Sequence, residues 1–397
     1  MENTKKTLLF NASCVALVVT AMSFATRGGF VNLWAEEFSL TFEQVGWIVG
    51  TAFWGFTLAM VIGGPLVDII GIGRIIAIAF ICHVVGIGMT IFATGFWSLF
   101  ISTALIGIAN GSVEAACNPL ITSMYTNEKT RRLNRFHAWF PTGIVIGGLM
   151  VYFLNKIGID NWRVWMGAMI LPTLLYGLMF LNKKFPQTER VVAGYTYKDM
   201  LKACVGPLFL FMAFCMILTA GTELGTNQWI AALMQNISQS PILLLVWVSG
   251  IMAIARQFGG TLIHNMKPTV VLFSSATLAC IGLLMLGYTT GVATFVSAAV
   301  FALGVAFFWP SMLGFVSENI PTTGALGLAI MGGIGFLGGA IAQPTLGHIF
   351  DLQTAAAGGD ALAGGANTLK LVAIIPAVLM VAFGYLYFRM RKGEKAV

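Results

Sequence analysis

Apolar residues run along this chain in blocks of about twenty or more, broken by short polar stretches, which is neither the spacing of a surface helix nor the alternation of a half-buried strand. A helix needs about 20 such residues to cross a hydrocarbon layer. The pattern therefore predicts twelve membrane helices, at 8–34, 43–69, 74–94, 97–125, 135–155, 162–181, 203–234, 240–263, 269–289, 292–316, 324–350 and 369–388. Glycine and proline inside them are tolerated better in lipid than in water. The first block is too long for a cleavable signal peptide and is expected to stay in the membrane. The longest polar stretch, "NKKFPQTERVVAGYTYKDMLK" from Asn182, divides the spans six and six. This predicts an N-terminal bundle over 1–182, a linker over 183–202 and a C-terminal bundle over 203–397.

Composition agrees with that division and removes other classes. Of 397 residues, 58% are apolar and 9% charged, against roughly 25% charged in a soluble domain, which excludes an ordinary soluble enzyme. Seventeen of the 22 Lys and Arg fall on the side of the N-terminus and three (Lys156, Arg163, Lys370) on the other. The positive-inside rule then places both termini in the cytoplasm of a bacterial-type inner membrane. Loops facing anionic lipid account for the net charge of +7 without a nucleic-acid partner. The six cysteines lie in or beside spans without CxxC spacing and read as small apolar fillers. No cluster has metal-ligand spacing and no nucleotide-binding loop is present, so no cofactor, metal or ATP site is expected.

The two halves are related in sequence. "GGPLVD" at 63–68 matches "GGTLIH" at 259–264, and "TGIVIGGLM" at 142–150 matches "GIGFLGGAI" at 333–341. At the first offset, "TRGG" around Arg27 falls on "TELG" around Glu223, so equivalent helices carry opposite charges. Duplicated halves are a mark of secondary transporters.

The segment "GGPLVDIIGIGR", with Gly64, Asp68 and Arg74, resembles the loop signature between spans two and three of the major facilitator superfamily. That resemblance implies an all-α membrane fold of two pseudo-symmetric six-helix halves, with this loop as a conformational switch. Within the superfamily, "GIANGSVEAACNPLITSMYTNEKTRRLNRFHAWFPTGIVIGG" is similar to the fucose:proton symporter family. The similarity lies in Glu114, Asn118, Pro119, the "RLN" at 132–134 and the entry into span five at 140–143. "GTELGTNQW" in span seven is similar to sugar carriers of that kind. One departure stands out: the family's acidic residue in span one is replaced here by Arg27 and Gly28, so its proton coupling does not transfer directly.

An ionisable group in mid-span costs about 2.5 to 3.5 kcal/mol on insertion scales and marks a functional site by default. On this ground Arg27, Glu114 and Glu223 are candidates for ion coupling. Arg27, Asn118, Glu223, Asn227, Gln228, Trp229 and, more weakly, Gln343 beside Pro344 are candidates for substrate binding. Glu223 and Asn227 are one helical turn apart and share a face. Arg256 reads either as a snorkelling residue or as part of the second-half loop signature. Trp34, Trp97, Trp162 and Trp165 read as interfacial belt residues; Trp54, Trp139, Trp229 and Trp309 lie deeper, where an indole can stack on a sugar. His83 and His137 stand apart from any cluster.

Together these features predict a monomeric secondary transporter, not an enzyme, importing a monosaccharide or amino sugar by symport with protons or sodium. In this architecture substrate sits near the midplane at the repeat interface and the halves rock around it. A proton-coupled exporter of amphipathic compounds is the alternative, since "FPTGIVIGG" is faintly like the span-five signature of antiporters. A receptor or lipid-modifying enzyme would need a larger loop constellation than this chain has. Arg27 is expected to exchange between Glu223 and Glu114 as the transporter cycles.

Overall fold

A computed structural model describes residues 3–125, 129–186, 197–234, 241–263 and 266–394, and no strand occurs among them. The apolar blocks become twelve long helices: α1 (Asn3–Glu37), α2 (Phe42–Ile70), α3 (Ile72–Ile91), α4 (Phe96–Met124), α5 (Trp139–Lys156), α6 (Trp162–Phe180), α7 (Pro207–Leu233), α8 (Ile242–Ile263), α9 (Pro268–Tyr288), α10 (Ala293–Val316), α11 (Gly324–Ala356) and α12 (Ala361–Arg391). Eleven are long and apolar enough to cross a membrane. The eighth carries a shorter apolar run, Ile242–Phe258, among the described residues. Large side chains that a soluble protein would hide, such as Phe92, Leu171, Val292 and Val381, are more than two-thirds exposed. With the helix count, that surface makes the chain an integral multi-pass membrane protein.

Local chemistry sets the ends of the helices. Thr41 closes a reciprocal capping box with Gln44 at the start of α2, and Asn161 and Asp360 accept backbone N–H bonds at the starts of α6 and α12. Gly71 alone joins α2 to α3, with φ of +89°, a conformation that strains any residue with a Cβ. The glycine-rich loop signature is thus a one-residue reversal.

The chain divides into two compact units, Met1–Val192 and Ala193–Val397. Inside the first, α2 packs along α4 through a seam of small residues. A Cβ on Gly55 would lie 2.6 Å from the Ala104 carbonyl oxygen, one on Gly111 would lie 2.8 Å from the Ala59 Cβ, and one on Gly107 would run into the Ala52 backbone. Such contacts replace the hydrophobic drive that lipid does not supply. The duplication is preserved in packing. Gly147 of α5 presses on Met22 and Ala25 of α1, and Gly338 of α11, its sequence counterpart, presses on Ile217 of α7.

Several sequence expectations are revised here. Trp34, Trp162 and Trp165 are buried within the first unit instead of facing outward, and pack with Phe30 in one aromatic cluster. Arg163 explains their position. Its guanidinium pairs with Glu37 at 2.7 Å, bonds the Ile91 and Ala93 carbonyls at the end of α3, and lies over the Trp162 ring. Trp97 is exposed as expected. Residues 187–196 of the linker and His264 of the second-half loop motif lie outside the described residues.

Candidate functional site

In the first unit the polar interior is built on α1 and α4. Arg27 is fully buried, and none of its three guanidinium nitrogens has a hydrogen-bond partner among the described residues; its contact is the Phe24 ring, 4.8 Å from the guanidinium carbon. Glu114 and Asn118 lie one turn apart on α4, and the Asn118 carbonyl oxygen is buried without a partner among the described residues. Arg27 and Glu114 do not pair. Asn110 donates to Ser23 at 2.9 Å, and Cys117, seven residues further along α4, lies near Ser13, ten residues back along α1, so α1 and α4 run antiparallel. From the Asn110–Ser23 level, Arg27 lies four residues one way and Glu114 four the other, about 12 Å apart along the helix axes.

The space between them is taken by a chain that the sequence did not reveal. The Tyr176 hydroxyl and His83 Nδ1 are 2.8 Å apart, and His83 Nε2 lies 2.9 Å from Asn110 Oδ1. Asn110 then donates to Ser23, which donates to the Thr20 carbonyl. A neutral imidazole with its proton on Nε2 satisfies every link, with each donor pointing the same way. His83 therefore ties α3, α4 and α6 to α1 as a structural group. Replacing His83 by leucine strands the Asn110 carbonyl and the Tyr176 hydroxyl in a dry interior. We expect a loss of about 2 to 4 kcal/mol, two unmade buried bonds, read as a lower melting temperature of the purified protein.

In the second unit Glu223 sits in a π-helical turn, Gly221–Gly225, within α7. Such turns recur at functional sites because they re-aim side chains out of the regular ladder. Arg256 of α8 donates from Nη2 to Glu223 Oε1 at 2.9 Å and from Nε to the Ala306 carbonyl of α10 at 2.8 Å. That carbonyl is free because residue 310, four positions on, is proline and has no N–H. Asn227 approaches Met252, one turn from Arg256, so Glu223 and Asn227 do face one helix together. Glu223 Oε2, Thr226 Oγ1 and Asn227 Oδ1 are buried without partners among the described residues. Trp229 turns the other way and donates to Gln343 of α11 at 2.9 Å, with both side chains fully buried. Gln343 in turn donates to the Gly339 carbonyl. This pair is a lock between helices. Gln343→Leu is expected to cost about 1 to 3 kcal/mol by stranding the indole N–H, seen as reduced thermal stability.

Comparison with known proteins fits this architecture. The model of the Major Facilitator Superfamily matches residues 13–343. The chain belongs to that superfamily. A D-xylose transporter from Levilactobacillus brevis is 26% identical over 166 residues, which is 41% of this chain and about a third (35%) of that relative. Among solved structures, a nucleoside transporter superposes with a TM-score of 0.76 at 15% identity, covering 97% of this chain and 99% of that one. The E. coli fucose:proton symporter superposes with a TM-score of 0.62 at 15% identity, covering 95% and 98%. At such identities the superpositions describe the fold.

As a transporter of this superfamily the chain distributes its candidates unevenly. Gln228 is buried beside Trp229, while Gly64 and Arg74 at the α2–α3 reversal are exposed and the Asp68 side chain lies outside the described residues. Trp54 and Trp139 are about two-fifths exposed, and Trp309 stacks edge-on against Phe336. Arg256 and His83 were the residues that sequence alone left unplaced. The signal for Arg256 was present: a buried anion on α7, and a proline on α10 that frees a carbonyl.

Proposed function

We propose that this transporter imports a small hydroxylated solute, a monosaccharide or amino sugar, by symport driven by protons or sodium. The observation that carries the reading is Glu223. It is an intramembrane carboxylate in a π turn, with one oxygen held by Arg256 and the other, with the neighbouring Thr226 and Asn227 oxygens, unpartnered among the described residues. Such a group can take a proton, or accept a bond from a solute hydroxyl, by releasing one arm of its arginine. In the first unit, Glu114 with Asn118 offers a second carboxylate for coupling, and Arg27 and Asn118 offer polar contacts to the solute. Trp229, Gln343 and Gln228 hold the shape of α7 and α11 around these groups. The D-xylose transporter of L. brevis and the glucose-transporter relatives support a sugar as cargo. Export of amphipathic compounds has no comparable support, because the unpartnered groups are polar.

The test is uptake of radiolabelled hexoses, pentoses, amino sugars and hexuronates into proteoliposomes, with and without an inward proton or sodium gradient. Accumulation of at least one sugar above equilibrium, abolished by Glu223→Gln, is expected. No gradient-driven uptake across the panel would overturn the reading.

A further inference from the structure

We infer that the solute carries a carboxylate and that Arg27 is its receptor, so that the cargo is a sugar acid rather than a neutral sugar. The inference refines the import of a small hydroxylated solute and rests on it.

A guanidinium does not discharge itself by losing its proton, and a charge buried in a membrane helix is costly unless something neutralises it. For Arg27 nothing among the described residues does so. Its three nitrogens lack hydrogen-bond partners there, so neither Glu114 nor any other described carboxylate holds them, and Glu223 is engaged with Arg256. Arg256 and Arg163 behave differently, since each holds a carboxylate and backbone carbonyl oxygen. An arginine kept in this condition has its fork of N–H groups reserved for an anion that comes and goes. The fork matches a carboxylate with two parallel bonds.

The rest of the helix face fits what the acid would be attached to. Thr20, Phe24 and Arg27 follow one another at four and three residues, so they form one stripe on α1. Thr20 Oγ1 is also buried without a partner among the described residues. The stripe thus presents a hydroxyl and a guanidinium about 10 Å apart along the helix, on either side of the Phe24 ring that packs on Phe53 and Phe140. The solute's hydroxyls would reach Thr20, and its carboxylate would sit on Arg27. One guanidinium balances one unit of charge. A phosphate ester, with about −1.5 to −2 at neutral pH, would need a second cation that the first unit's interior does not supply among its described residues. A monocarboxylate needs none.

The experiment compares matched pairs in proteoliposomes: D-glucuronate with D-glucose, and D-galacturonate with D-galactose. The acids should be taken up at least tenfold faster than their parent sugars. Neutral sugars taken up as fast as the acids would overturn the inference and leave sugar import standing, whereas uptake of none of the four would overturn both. In Arg27→Gln the ratio of acid to neutral uptake should fall about 10- to 100-fold, the scale of charge-assisted bonds. The variant should melt no lower than the parent, because an uncompensated buried charge has been removed. A preserved ratio, or a large fall in melting temperature with the ratio intact, would show Arg27 to be structural. Should the glutamine variant fail to fold, Arg27→Lys serves instead. It keeps the charge and loses the fork, so the ratio should fall several-fold, and an unchanged ratio overturns the proposal.

Discussion

Arg256→Ala is expected to cost the protein about 3 kcal/mol and to abolish gradient-driven accumulation. Removing one partner of a buried ion pair leaves the other charged in a low-dielectric site, a loss of about 3 to 5 kcal/mol. The Arg256 side chain is 28% exposed, which discounts that figure, whereas Glu223 at 7% cannot reach water without moving α7. The same substitution bares the Ala306 carbonyl, which Pro310 cannot satisfy, and adds about 1 kcal/mol or more. Neutralising the stranded acid should recover part of the loss. In a double-mutant cycle with Glu223→Gln, the two changes together should cost at least about 1 kcal/mol less than their sum. Thermal unfolding of purified protein measures this, and strict additivity would show that the pair contributes no coupling.

Gly107→Val should prevent the first unit from assembling. A Cβ at this position collides with the Ala52 backbone of α2, and a backbone oxygen cannot rotate away as a side chain could. The helices would have to separate along a seam that Gly55 and Gly111 also hold closed. That loses dispersion contacts over several turns and exceeds the usual overpacking cost of about 1 to 3 kcal/mol. A fall of folded, monodisperse yield to a small fraction of the parent is expected in detergent. Gly88→Ala is the matched control. It lies in α3 with open space where a Cβ would go, and it should be neutral or slightly stabilising, since alanine is the better helix former. Equal yields from the two variants would mean that the seam tolerates separation.

Much of this arrangement was legible before any coordinates. The twelve spans follow from local composition, because a segment's transfer into hydrocarbon depends on its own side chains and on little else. The internal repeat and the glycine motif at 63–74 could be read in the same way. So could the shared face of Glu223 and Asn227, even though a π turn intervenes between them and the regular ladder.

What escaped the sequence were partners. Arg256 read equally as a snorkelling residue and as part of a loop signature because its position near the end of α8 is compatible with both, and only packing against α7 and α10 turns it inward. Trp34, Trp162 and Trp165 looked like a belt because span ends and interfaces coincide, yet Glu37 and Arg163 draw them into a cluster of their own. His83 appeared isolated because its bonds run to residues 27 and 93 positions away.

The sequence by itself determined that this is a duplicated twelve-helix membrane protein with charges placed where lipid cannot tolerate them. Each of those facts is a sum over neighbouring residues, and such sums are written in the chain. The tertiary structure alone decided which charges are answered and which is not. Glu223 meets Arg256, whereas Arg27 meets an aromatic ring and no anion among the described residues. Pairing of this kind depends on the register of helices far apart in sequence, where a shift of one residue, about 1.5 Å and about a hundred degrees of rotation, would exchange every partner.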